Sequence, residues 1–254
     1  MAPFGAWVFD VDGTLLDSRT ILRPRTAAAL DALHEHGSLM LVATALGQRG
    51  ARGKLTAVPY LCERGVFLAG GHVVDEPTGY THEVLLDAEV GRQVLRTLES
   101  VSPELQIVVQ YGSRGHARRL ELDPELVAVW GYEQEEPLPY ESGVGRPFTR
   151  VIAWHMGLDL GPAYESLRAQ FRERVRIYLT NGNHVLQASA PEATKGQGLQ
   201  KLFRYLAIDP ADAIAFGDSA TDLEMFELVG TSVAMGNAPP EVKAAATMVT
   251  ESND

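Results

Sequence analysis

The chain begins with a short apolar run, Ala6, Trp7, Val8 and Phe9, which stops at two carboxylates, Asp10 and Asp12. A run of this kind predicts a buried strand of a parallel sheet. Residues 24–36 predict a helix, with Pro24 suited to its first turn, Ala27 to Leu30 favouring helix, and Gly37 suited to its end. LMLVAT (39–44) predicts a second strand and GVFLAGG (65–71) a third. Between them, GQRGARGK (47–54) is too rich in glycine to predict a helix and reads as a flexible loop near the strand ends that carry the polar residues. The alternation of strand and helix implies parallel strands joined by right-handed crossovers.

The pattern changes in the middle of the chain. Residues 73–86 predict a hairpin around Pro77 to Gly79, followed by a helix (88–99) and a strand (104–111). A helix over 123–130, a strand over 149–156 and a helix over 163–172 come next. Two alternating strands (174–189) then flank Asn181-Gly182, a dipeptide suited to a type I′ turn. The α/β alternation resumes with an amphipathic helix (195–207), a strand AIAFGD (213–218), a helix (223–229), a strand (231–235), a helix (240–246) and a strand (247–250). The expected organisation is a Rossmann-like α/β catalytic core, residues 1–81 and 189–254, with an inserted α+β domain at 82–188.

Composition narrows the function classes. The formal net charge is −11. That opposes broad electrostatic binding to nucleic acid or anionic lipid, so an anionic substrate needs a local site. One cysteine, Cys62, precludes an intrachain disulfide and is consistent with a reducing, cytoplasmic setting. The opening MAPFGAWVFDVDG does not read as a signal peptide, and no stretch approaches a membrane span. Nothing in the sequence indicates an oligomeric state.

Three predicted strands end in polar residues: VFDVD, LVAT and AFGDS. In an open parallel sheet, ligands bind beyond the carboxyl ends of the strands. Any one of Asp10, Asp12, Thr44 and Asp218 alone is at home as a helix cap or turn residue; together they predict a site. Asp10 and Asp12 are one residue apart, so an extended segment points both to one side. One carboxylate can attack phosphorus and a second can protonate a leaving alkoxide. Gly13 and Thr14 permit a tight turn with N–H groups facing anionic oxygens. Carboxylates with waters suit Mg2+, Lys195 adds a fixed positive charge, and Thr44 adds a hydroxyl donor.

DVDGTL (10–15) resembles the first motif of the haloacid dehalogenase superfamily of phosphatases. Thr44 resembles the second, Lys195 in ATKG the third, and GDSATD (217–222) the fourth; VAMGNA (233–238) is similar to a stretch typical of the Cof-like subfamily, which carries a large α/β cap. The resemblance implies that Asp10 is the nucleophile and Asp12 the general acid/base. It implies Mg2+ on the Asp10 carboxylate, the Asp12 carbonyl and Asp218, supported by Asp222. It implies phosphate contacts from Val11, Thr44, Ala45, Lys195 and Thr221. In the superfamily's ion pumps a threonine usually occupies the position of Asp12, so an acid there resembles a phosphatase or mutase. The second motif usually reads Thr-Gly-Arg and here is Thr44-Ala45-Leu46, which loses the guanidinium; Arg49 is the next one along. Thr221 stands where an asparagine is usual, and Gly70 where relatives often carry one.

The expected activity is Mg2+-dependent hydrolysis of a small phosphorylated metabolite, with a phosphomutase or a weakly catalytic phosphate-binding regulator as alternatives. Other motifs are weaker. GQRGARGK is similar to a P-loop, but its last glycine falls six positions after the first instead of five, and Leu55 replaces Ser or Thr. Cys62 reads as a packed thiol. His34 and His36 do not share a helix face, so a surface role is expected of them. Arg114, His116, Arg118 and Arg119 form the most basic stretch of the insertion. They are read first as a solvated face and second as substrate-selecting contacts.

Overall fold

The computed structural model describes residues 4–112, 115–119 and 138–254. The chain divides into two compact units, one made of residues up to His82 together with Thr194–Asp254, the other of Glu83–Ala193.

The first unit is built on an eight-stranded sheet. Its centre is β1 (Ala6–Phe9), flanked by β2 (Met40–Ala43) and, from far along the chain, β11 (Ala213–Gly217), both parallel to it. Outward on one side lie β3 (Arg64–Phe67), β4 (His72–Asp75) and β5 (Tyr80–Glu83); on the other lie β12 (Thr231–Ala234) and β13 (Met248–Val249). Only the β3–β4 hairpin among the described pairings of this sheet is antiparallel.

Both faces of the sheet's centre are covered, which is why β1 and β2 are continuously apolar. Val8, Leu41 and Ala43 point to one face, against Leu199, Leu202 and Phe203 of α6 (Lys195–Leu206) and against α7 (Leu223–Leu228) and α8 (Pro240–Ala245). Phe9, Met40 and Val42 point to the other, against Leu30 of α1 (Pro24–Glu35) and Ala51 of α2 (Gln48–Lys54).

The helix α2 corrects the expectation that GQRGARGK is a flexible loop. Glycine is unfavourable in a helix by about 1 kcal/mol relative to alanine, but here tertiary contacts outweigh propensity. Gly50 and Ala51 are buried. Gln48 donates to the Cys62 carbonyl at 3.0 Å and to Glu76 at 2.9 Å, and Arg52 pairs with Glu76.

The second unit has a five-stranded sheet in the order β7-β6-β8-β10-β9, with every described pairing antiparallel. The strands are β6 (Gln106–Gln110), β7 (His116–Arg118), β8 (Arg150–Trp154), β9 (Arg176–Thr180) and β10 (Val185–Ser189). Helices α3 (Ala88–Glu99) and α5 (Gly161–Phe171) give Val94, Leu98, Leu167 and Phe171 to one core with Ile107, Val109, Val151 and Leu186; the short α4 is Tyr140–Val144. Asp87 caps α3 by accepting from Glu89 N and Val90 N. The β9–β10 turn differs from expectation by one residue. Its hydrogen bond closes from His184 N to Asn181 O, so the two central residues at positive φ are Gly182 and Asn183. The predicted helix at 123–130 lies outside the described residues. The architecture is the expected one: an α/β core interrupted by an α+β insertion.

Candidate active site

Strand register creates the site. Phe9 is level with Val42 of β2 and with Phe216 of β11. Asp10, Thr44 and Asp218 therefore leave the same edge of the sheet, each just past the end of its strand. After β1 the chain turns sharply, and the Val11 carbonyl accepts from Leu15 N and Leu16 N at 3.0 Å each. Gly13 takes φ +81°, and a Cβ there would overlap the Asp218 carboxylate. Glycine thus serves two ends, a left-handed backbone and room for an acid from a distant strand.

Lys195, the first residue of α6, is placed by its neighbour. Thr194 caps that helix, its hydroxyl accepting from Gln197 N at 3.1 Å. The Lys195 ammonium is buried and donates to Asp10 Oδ1 at 2.7 Å and to Asp222 Oδ1 at 2.6 Å. Asp222 is fully buried. Its Oδ2 accepts from Asp218 N, Ser219 N and Ser219 Oγ at 2.9–3.0 Å, so this acid holds the fourth motif in shape. Thr221 Oγ1 lies 2.8 Å from Ser219 Oγ. The Thr44 hydroxyl accepts from Leu46 N at 3.1 Å, which leaves its own proton to donate. Ala45 is exposed.

Electrostatically, the site has more negative charge than its buried lysine balances. Burial pushes the Asp10 carboxyl above the ordinary carboxylate range; Lys195 opposes this and Asp222 adds to it. Burial, and then the Asp222 charge, raise Asp218 as well. Burial alone would lower Lys195, but the Asp10 and Asp222 charges outweigh it and hold the ammonium protonated. One oxygen from each of Asp10, Asp218 and Asp222 lies within 4.8 Å of the others. Hard oxygen donors crowded beyond their balancing charge are what a divalent cation such as Mg2+ fits. Asp222 is held by four bonds of 2.6–3.0 Å, whereas Asp218 accepts from Asn237 and Thr14 at 3.3–3.4 Å, so Asp10 and Asp218 are the carboxylates best able to reach one.

Two residues of the site were not singled out by sequence reading. Lys54, in the last turn of α2, donates to Asp12 Oδ1 at 2.7 Å. Asn237 donates to the Gly13 carbonyl at 2.9 Å and to Asp218 Oδ2 at 3.3 Å. The VAMGNA stretch signalled Asn237; GQRGARGK was placed near the site, but nothing in it singled out Lys54.

The basic stretch of the insertion is less uniform than its sequence. His116 is buried on β7 opposite Gln110, and Arg119 donates to the Ser102 carbonyl at 3.3 Å. Arg118 lies opposite Val108. His116 and Arg119 thus depart from a simple solvated face, because strand pairing and a carbonyl partner claim them. Arg114 lies outside the described residues. Cys62 is buried, its thiol pushed up to about 12 by burial, as befits a packed cysteine. His34 stacks on Tyr60 with ring centroids 4.0 Å apart.

A family model for haloacid dehalogenase-like hydrolases matches residues 7–254. The chain belongs to this family. It is 49% identical over 257 residues to the Bacillus subtilis (strain 168) protein YkrA, covering 97% of this chain and 91% of that one. It is 26% identical over 271 residues to the 5-amino-6-(5-phospho-D-ribitylamino)uracil phosphatase YwtE of the same organism, covering 96% and 92%. In fold it matches the crystal structure of a haloacid dehalogenase-like hydrolase from Bacteroides thetaiotaomicron, with a TM-score of 0.85, 22% identity and coverage of 99% and 95%. The protein is a phosphatase of the Cof-like type. Among the described residues, no helix is long and apolar enough to cross a membrane.

Proposed function

We propose that this phosphatase is a cytoplasmic, Mg2+-dependent enzyme that hydrolyses a small phosphorylated metabolite, such as a sugar phosphate, through an aspartyl-phosphate on Asp10. The observation that carries the reading is the meeting of Asp10, Asp12, Lys195 and Asp218 at one sheet edge, with Lys195 2.7 Å from Asp10. YwtE, a relative across nearly the whole chain, is named for a small phosphorylated compound, which supports the substrate class.

The Asp10 carboxylate attacks phosphorus. The bond from phosphorus to the ester oxygen breaks with its electron pair on that oxygen, and the oxygen takes the proton of the Asp12 carboxyl. Water then gives a proton to Asp12 and attacks the same phosphorus, which releases inorganic phosphate and restores Asp10. Lys195, the Thr44 hydroxyl and the backbone of Val11 and Ala45 hold the phosphoryl oxygens, with Thr221 at their margin. Held by Asp10, Asp218 and the Asp12 carbonyl, with Asp222 behind them, Mg2+ would offset phosphate charge so that an anionic nucleophile can approach. Selection of the leaving group is assigned to the insertion; the burial of His116 and the Ser102 partner of Arg119 weigh against those two as contacts and leave Arg114 and Arg118 as the candidates.

The test is Asp10→Asn, assayed with para-nitrophenyl phosphate and Mg2+ and checked for fold by circular dichroism. Turnover is expected to vanish with the fold retained. Undiminished turnover would end the covalent mechanism. Product analysis on natural esters separates hydrolysis, which yields free phosphate, from mutase action, which yields an isomeric ester.

A further inference from the structure

Asp12 does not stand alone in the site. Its side chain is 44% exposed, and Lys54 meets it at 2.7 Å while itself being only 20% exposed. A surface ion pair between two long, free side chains is worth little, because holding both costs entropy. Here the cost is largely met in advance. Asp12 sits in the tight turn three residues past the end of β1, and Lys54 stands on a helix pinned to Cys62 and Glu76. Leu46, where the second motif would carry a guanidinium, packs instead into the apolar cluster with Leu15 and Ala51. The positive charge facing this part of the site thus comes from a different element.

We propose that Lys54 is a positioning residue for proton transfer by Asp12. It anchors Oδ1, so that Oδ2 is presented to the ester oxygen, and its charge offsets the negative charge that develops on Asp12 as the proton leaves. In that step the O–H bond of the Asp12 carboxyl breaks, a new O–H bond forms on the ester oxygen, and the phosphorus–oxygen bond breaks with its electrons on that oxygen. Lys54 gives up no proton. The inference rests on the assignment of Asp12 as general acid.

A series of aryl phosphates isolates this role. Para-nitrophenolate leaves without needing a proton, whereas phenolate needs one. Release of the phenol in single turnovers reports the first step alone. Lys54→Met is expected to slow phenyl phosphate cleavage by about 10²-fold, the scale of a modest misplacement of a catalytic group. Para-nitrophenyl phosphate should change by no more than a few-fold, with apparent affinity nearly constant. Lys54→Arg should restore most of the rate. Asp12→Asn should show the same leaving-group dependence, and adding Lys54→Met to it should cost little more.

An equal loss on both esters, a loss confined to affinity, or full additivity with Asp12→Asn would overturn the proposal. Should Lys54→Met fold poorly, Lys54→Gln and Lys54→Arg carry the same comparison. An active Asp10→Asn enzyme would bring down the underlying mechanism. An inactive Asp10→Asn beside an unaffected Lys54→Met would bring down the Lys54 inference alone.

Discussion

Replacing Lys195 by Met should cost both stability and activity. The lysine side chain is 2% exposed, and its partners Asp10 and Asp222 are 6% and 0% exposed. Methionine fills similar volume but leaves two buried carboxylates facing each other without a cation. Breaking a buried, hydrogen-bonded ion pair by removing one partner typically costs about 3–5 kcal/mol, most of it from the charge left behind. With a urea slope towards the top of the range of about 1–3 kcal/mol per molar, the unfolding midpoint should fall by about 1 M or more. The measurement is urea titration by circular dichroism in a chelator, with para-nitrophenyl phosphate turnover assayed in parallel and expected to be lost. Adding Mg2+ should then recover part of the stability, because a cation held by the remaining acids stabilises the fold by about 2.7 kcal/mol at a hundred times its Kd. A midpoint shift worth less than about 1 kcal/mol would refute the reasoning, since a pair so cheaply broken is not governed by buried charge.

Two further outcomes follow from single residues. His72 is buried, and burial pushes its imidazole down from 6.5 to about 4. Between those values the unfolded chain takes up a proton that the folded chain refuses, so stability is full above about pH 6.5 and falls as pH drops towards 4, by about 3 kcal/mol in all. His72→Gln should flatten that part of a stability–pH profile measured by urea unfolding, and an unchanged slope would count against it. Gly70 sits at φ +107°, where a Cβ would overlap the backbone of Thr194. Gly70→Ala should therefore cost about 1–3 kcal/mol from the backbone conformation alone. It should also slow turnover by moving the cap that places Lys195, and unaltered kinetics would show that Thr194 yields without disturbing the lysine.

Most of the core was legible in the sequence, for a physical reason. The strands that bear the site, β1, β2 and β11, are short apolar runs ended by a polar residue, and the long helices carry start signals, as Pro24 does for α1 and Thr194 for α6. Asp10, Thr44 and Asp218 can be gathered from sequence alone because neighbouring parallel strands end at a common edge. Gly70 was visible as an oddity, a glycine where relatives often carry asparagine, but not explicable. Its reason is the Thr194 backbone, more than a hundred residues away. The turn after β9 slipped by one residue because Asn181, Gly182 and Asn183 all tolerate positive φ, and strand pairing decides which two of them form the corner.

The helix α2 shows where such reading stops. Its sequence, QRGARGK, has two glycines in seven residues and no side-chain cap at its start. Local propensity therefore argues against the helix that forms, and what supports it comes from elsewhere: the Cys62 carbonyl, the Glu76 carboxylate and the apolar cluster around Ala51. A loop would have left Lys54 one mobile charge among many. The helix makes it a fixed one, 2.7 Å from a carboxylate 42 positions earlier. Residues that carry the bond-making chemistry are tied to strand ends and recur as short motifs. A residue that tunes one of them can be supplied by any element whose packing brings it within reach. Loss of the guanidinium at Leu46 in the second motif therefore need not mean loss of a cation beside Asp12.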